Sequence, residues 1–308
     1  MKNIVGLIIS VFCFTTVLFS APIKPIPNEI KVDAKKVQLG KKLFFDPILS
    51  RDGTISCATC HDLQNGGDDG LKFSFGIRGQ EGIINSPTVY NAVFNFRQFW
   101  DGRAKDLKEQ VIEPIENPVE MGHSMTAVVE ILKKNKTYLR DFKNIYSDGL
   151  TNDNVADAIA EFEKALITPD SPFDRYLKGD ADAISAKAKE GYRLFESKGC
   201  ILCHHGVNVG GNFYNKFGIY EDVNSTNLGR YNITKREEDK YVFKVPSLRN
   251  IALTAPYMHD GRMSVLEDAV EFMTEHQLGR HMEPGETDAI VAFLKSLTGE
   301  IPEIVRSK

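Results

Sequence analysis

Apolar residues recur at helical spacing in two stretches that read almost alike. Residues 157–166, DAIAEFEKAL, and residues 288–297, DAIVAFLKSL, share the pattern D-A-I-x-x-F-x-K-x-L. Ile159, Phe162 and Leu166 fall on one face of the first, and Ile290, Phe293, Leu294 and Leu297 on one face of the second. Polar residues at 151–154 and 284–287 supply helix starts, while Thr168-Pro169 and residues 299–302 supply stops. A second matching pair lies upstream, GKKLF at 40–44 and GYRLF at 191–195, both G-x-x-L-F. No set of alternating strand segments stands out. The pattern predicts an all-α chain built twice from one unit: an opening helix, long loops and a closing helix.

PDSP at 169–172 is the expected seam, which divides the chain into residues 22–168 and 169–308. Three prolines between 22 and 27 predict an extended leader before the first unit. Ahead of it, Lys2 followed by an apolar run at 4–19 reads as an export signal occupying residues 1–21. An uncleaved N-terminal anchor is the alternative, although about 16 apolar residues fall short of the roughly 20 that span a bilayer. No later stretch is long enough to cross a membrane, so the mature part is expected in the periplasm.

With 308 residues, 42% of them hydrophobic, the chain can bury two cores of ordinary size. A net charge of -4, a single Trp and no Lys/Arg run longer than two argue against nucleic acid as a partner.

The cysteines carry the chemistry. Of five, Cys13 belongs to the signal and the other four form two pairs, SCATCH at 56–61 and GCILCHH at 199–205. In an exported chain a disulfide is the default for a cysteine pair. Here both pairs have the same spacing and each is followed at once by His. Zinc would need further ligands at close spacing, and after His61 the next His is His123. Cys-x-x-Cys-His is instead the attachment pattern of a c-type haem: two thiols add to the vinyl groups, and the adjacent His reaches the iron. Cys57, Cys60 and His61 therefore predict one covalent haem c, and Cys200, Cys203 and His204 a second. Glycines at 66, 67 and 70 and at 206, 210 and 211 suit loops that pass close to a flat cofactor.

A sixth ligand separates an electron carrier from a site open to small oxidants. For the second haem the candidates are Met258, Met263, Met273, Met282, His259, His276 and His281. Met273 is favoured, about 70 residues beyond the pentad and shortly before the closing helix; a thioether there raises the potential.

Beyond the pentads, the chain carries NSPTVYNAVFN at 85–95, QFWDGRA at 98–104, NPVEMG at 117–122, VPSLRN at 245–250 and APY at 255–257. With these motifs it resembles the bacterial dihaem cytochrome c peroxidases and the related MauG-type enzymes over nearly the whole mature chain. The resemblance implies two cytochrome c-like domains, a low-potential peroxidatic haem in the first and a high-potential electron-transfer haem, ligated by Met273, in the second. It implies hydrogen peroxide as substrate, a small cytochrome c or cupredoxin as donor, and a homodimer. Glu120 matches the pocket carboxylate, with Met121, Gln110 and Phe99 beside it, and Trp100 the tryptophan between the haems. Asn85 with the carbonyls of Thr254 and Pro256 matches a calcium site, a set of oxygen donors suited to a hard cation. Chemistry independently favours Glu120, since splitting peroxide needs a group that takes one proton and returns it, which a desolvated carboxyl can do.

The sequence departs from the family in FSFGIRGQ at 73–80. Many members carry a His in this turn that caps the peroxidatic iron until the second haem is reduced. Ile77 stands there in this chain, and no His occurs between Asp62 and Gly122. A first haem open in the oxidised state is the direct expectation; capping by Met121, His123 or Met125 is the competing one. A plain dihaem electron carrier and a MauG-like oxidase are the other functional readings, the latter disfavoured by Met273 where that family has Tyr.

Overall fold

The computed structural model describes residues 22–306, so the expected signal segment and Cys13 lie outside the described residues. The chain is helical, as expected. Its first part runs through α1 (Ala34–Phe44), the pentad turn α2 (Cys57–Cys60), α3 (Leu107–Glu116), α4 (Met125–Lys134), α5 (Lys136–Ile145) and α6 (Asn152–Lys164). The second follows with α7 (Pro172–Leu177), α8 (Ala186–Ser197), α9 (Tyr231–Thr234), α10 (Leu266–Phe272), α11 (Glu286–Lys295) and α12 (Glu303–Arg306). Side chains close the exposed N-termini: Asp33 accepts from the N–H groups of Lys35 and Lys36 at α1, and Thr151 from that of Asn154 at α6. One feature escapes the sequence pattern, an antiparallel ribbon of β1 (Tyr214–Lys216) and β2 (Val242–Lys244) with Asn215 opposite Phe243. Strands of three residues are too short to show an alternation.

The repeated sequence pairs turn out to be helix crossings. In the first half α1 packs on α6 with Gly40 at the crossing, where an added Cβ would lie 1.9 Å from the carbonyl oxygen of Ala158. In the second α8 packs on α11, and the same atom on Gly191 would lie 1.8 Å from the oxygen of Ala289. Only a residue without a side chain lets the backbones come this close. Around each crossing the apolar faces interdigitate: Leu43, Phe44, Ile159 and Phe162 in one half, Leu194, Phe195, Ile290 and Phe293 in the other. Each such buried side chain contributes about 1.5–3 kcal/mol. Aromatic contacts recur too, Phe44 on Phe162 at 5.2 Å and Phe195 on Phe293 at 5.0 Å between ring centres. Even the flanking ion pair is duplicated, Lys36 with Asp157 at 2.6 Å and Lys187 with Asp288 at 2.9 Å.

The chain ends are exchanged between the halves. Ile23, in the leader, is buried in the second core, and Gly206 N–H donates to Pro22 O at 2.7 Å. Arg249, buried without solvent contact, donates to Asp174 Oδ1 at 2.7 Å and to Lys24 O at 2.9 Å, while Ile26 N–H also reaches Asp174 at 3.3 Å. At the other end Ile301, Ile304 and Val305 pack on the first core, and Lys41 Nζ donates to Ile304 O at 2.7 Å. Among the described residues no helix is long and apolar enough to cross a membrane.

Candidate haem sites

The second site is a cavity whose lining includes Cys200, Cys203, His204 and Met273. His204 is carried on the turn after Cys200, its N–H bonded to Cys200 O at 3.0 Å. Its ring Nδ1 lies 3.3 Å from Val209 O, an arrangement that orients the imidazole and leaves Nε2 as the ligating nitrogen. Burial pushes this imidazole down to about 4, so it stays neutral and able to bind iron. Burial likewise raises Cys200 to about 11. Phe195, Leu266, Val270 and Leu294 give the cavity apolar walls. Met258 and His259 also line it, but His259 Nε2 is engaged with Ser225 Oγ at 2.8 Å and its ring stacks on Phe243. Of the sequence candidates, Met258 and Met273 thus remain in reach of the cavity with free side-chain donors.

Lys244, on β2, also lines this cavity and is only 7% exposed. Among the described residues no carboxylate pairs with it, and desolvation pushes its ammonium down to about 8. A buried cation with no acidic partner in the protein fits a cofactor that brings its own carboxylates, as the haem propionates do. All four described cysteines are free thiols, as thioether attachment requires.

The first site repeats the proximal geometry. His61 N–H bonds Cys57 O at 3.1 Å, and its Nδ1 lies 3.2 Å from Gly67 O. Phe44 stands 6.5 Å from the His61 ring, as Phe195 stands 6.4 Å from His204. Burial lowers the His61 imidazole too. It also raises both thiols, Cys57 with help from Glu163 and Cys60, to about 11, with help from Asp69 and Glu120.

Glu120 packs against the turn that holds Ile77, where an added Cβ on Gly76 would lie 2.6 Å from Glu120 Cα. Burial lifts its carboxyl above the ordinary carboxylate range, opposed by Asn117, whose Nδ2 donates to Oε1 at 2.7 Å, and by the charge of Arg103. Arg103 stacks 3.6 Å over the Phe99 ring and is hydrogen-bonded to Glu113, which follows Gln110 by three residues on α3. Phe99, Arg103 and Glu113 thus form one connected group, with half-buried Gln110 on the adjoining helix turn; Met121 lies apart, in the first core with Met125. The turn holding Ile77 is fixed to the same loop: Ile77 N–H donates to Glu120 O at 2.7 Å and Gln80 Nε2 to Pro118 O at 3.0 Å. The Ile77 side chain, 2% exposed, sits against Gly122, where an added Cβ would lie 2.3 Å from its Cδ1. His123 takes the N–H of Ser124 on Nδ1, and its Nε2 is buried without a partner.

Trp100 lines the second cavity, its Nε1 donating to Asn85 O at 2.9 Å. Asn85, Thr254 and Pro256 line the same cavity, and Asn85 Nδ2 donates to Leu71 O at 2.9 Å, which leaves Oδ1 as the amide atom for a cation.

Three residues at these sites were not found from the sequence. Arg103 was visible only inside a motif, and Lys244 lies in a strand too short to show a pattern. Glu163 reads as surface charge on α6 but is 5% exposed, with Oε2 buried and unpartnered. Its signal was available in the repeat, where it stands opposite Leu294.

Two haem-attachment sites, each beside an equivalent helix crossing, define a dihaem cytochrome c-type protein. The chain belongs to the di-haem cytochrome c peroxidase family, whose profile matches residues 34–182. It is 47% identical over 293 residues to a cytochrome c peroxidase of Escherichia coli K12, a match that covers 93% of this chain and 63% of that one. The chain thus spans under two thirds of that relative's length. It is also 47% identical over 285 residues to a cytochrome c551 peroxidase of Nitrosomonas europaea, covering 92% and 85% of the two chains. Among solved structures, a MauG-like protein associated with microbial copper homeostasis superposes with a TM-score of 0.79 at 27% identity, over 94% of this chain and 96% of that one. Family membership implies two haem c groups.

Proposed function

We propose that this protein reduces hydrogen peroxide to water in the periplasm, drawing electrons from a small cytochrome c or copper protein. The observation that carries the reading is Glu120, a half-buried carboxyl oriented by Asn117 and lifted by desolvation above the ordinary carboxylate range. The first unit, residues 22–168, is the peroxidatic one. The second, 169–308, receives electrons through a haem ligated by His204 and Met273. When bound, the first haem supplies the electrons that break the peroxide O–O bond, and the chain manages the protons. Asn117 holds Oε1 of Glu120, which leaves Oε2 to take the proton from the near oxygen and deliver it to the departing one. Arg103 keeps positive charge close by, so the carboxylate form stays accessible despite burial. Gln110 and Phe99 flank Glu120, Met121 backs it from the first core, and Trp100 lies on the electron route between the haems. Calcium at Asn85, Thr254 and Pro256 would steady that route, since Asn85 O receives the Trp100 N–H.

The first haem needs no reductive activation. Ile77 offers iron no ligand, and its turn is tied to the Glu120 loop by the hydrogen bonds described above. Low-temperature EPR of the fully ferric protein tests this: one high-spin signal beside a low-spin His/Met signal is expected. Two low-spin signals would refute the open site and point to His123, whose Nε2 is free, or to Met121 or Met125. Steady-state oxidation of a reduced cytochrome by peroxide distinguishes the enzyme from a plain dihaem carrier. A MauG-like oxidase would instead modify a protein substrate and would not require Met273.

A further inference from the structure

The repeat places two chemically different residues at one structural position. In D-A-I-x-x-F-x-K-x-L, Glu163 of α6 corresponds to Leu294 of α11. Leu294 lines the cavity of the second site. The helix crossings match down to their glycines, aromatic contacts and ion pairs, so Glu163 should face the first haem as Leu294 faces the second. Its influence on the Cys57 thiol is consistent with that placement. The side chain makes no ion pair with a cation, and the nearby Lys164 is taken by Glu161 at 2.9 Å. Burial raises the Glu163 carboxyl to about 8, because an unpartnered charge in a core is costly, and a positive charge placed beside it would hold it ionised.

We infer that Glu163 is a positioning residue for charge, whose carboxyl beside the first haem lowers that haem's reduction potential relative to the second. Ferric iron leaves its porphyrin with net positive charge, which reduction removes. An uncompensated carboxyl therefore favours the ferric state at the first site. The apolar Leu294 gives no such bias at the second, where the unpaired Lys244 has the opposite sign. The inference rests on the proposed division of labour only for its meaning, a low-potential peroxidatic haem, and not for the effect itself.

The test is a spectroelectrochemical titration of the holoprotein, resolving both haems, for the parent, E163Q, E163L and L294E. E163Q and E163L should raise the first haem's potential and leave the second unchanged, while L294E should lower the second. E163Q keeps the shape of the side chain and decides the matter if E163L or L294E fails to mature. An unchanged first potential in an E163Q protein with full haem content overturns the inference. A parent whose first haem lies above its second, with the E163Q shift still present, supports the inference and overturns the assignment of roles to the two haems.

Discussion

In the first half Gly40 lets α1 lie on Ala158, and in the second Gly191 lets α8 lie on Ala289. Each crossing carries a Phe that stands about 6.5 Å from a haem-ligating His, and that His is turned by a carbonyl five or six residues further along. The scaffolds that present the iron's first ligand are therefore equivalent. What surrounds them is not. The second site is an apolar cavity lined by two methionines and one unpaired ammonium; around the first, burial lifts two acids, Glu120 and Glu163, and Ile77 is buried in its turn. On the reading proposed above, the crossing fixes how a haem is held, and a handful of side chains set what each haem does.

The largest expected effect comes from removing the group without a counterpart in the second half. Glu120→Gln should cut kcat/KM for peroxide by about 10²–10⁴-fold, the range of a general acid–base group, with both haems retained. Because burial raises the Glu120 carboxyl, its proton-accepting form is lost as pH falls through a value above the ordinary carboxylate range. The parent's pH–rate profile should show that acid limb, and in Glu120→Gln the limb should be gone.

Gly40→Val and Gly191→Val attack what the halves share. Each forces a side chain into a carbonyl oxygen less than 2 Å away, and each should cost about 3 kcal/mol by chemical denaturation. Similar losses would support equivalent crossings, whereas tolerance of one substitution would break the symmetry.

Met273→Ala should lower the second haem's potential while leaving the first unchanged. Met258→Ala should leave both, and the reverse result would exchange the two as ligand. The smallest effect belongs to the duplicated ion pair. Lys36→Ala should cost about 0.5–1 kcal/mol and Lys187→Ala less, because the first pair is about a quarter exposed and the second more than half. Equal losses in thermal unfolding would show that exposure does not separate them.

The pentads and the two closing helices could be read from the chain because covalent attachment and helical packing both impose short, fixed spacings. Glu120 and Asn85 were legible only through longer motifs, since a lone acid or amide has no spacing of its own. Glu163 and Lys244 went unread for a physical reason. Sequence pattern assigns charged residues to water, and here both are buried. Choosing Met273 over Met258 was likewise beyond periodicity, because both line the cavity. The exchanged ends could not be foreseen at all, since contacts such as Lys41 with Ile304 join residues 263 apart.

That exchange bears on how the protein comes into being. Ile301, Ile304 and Val305 pack on the first core, so the half that is synthesised first is completed by residues that emerge only after the second. Until then its apolar surface stays open, while the leader, made before either core, waits for its berth in the second half. Maturation should therefore proceed as a single closing event for the whole chain, and severing it at the seam would leave both pieces incomplete.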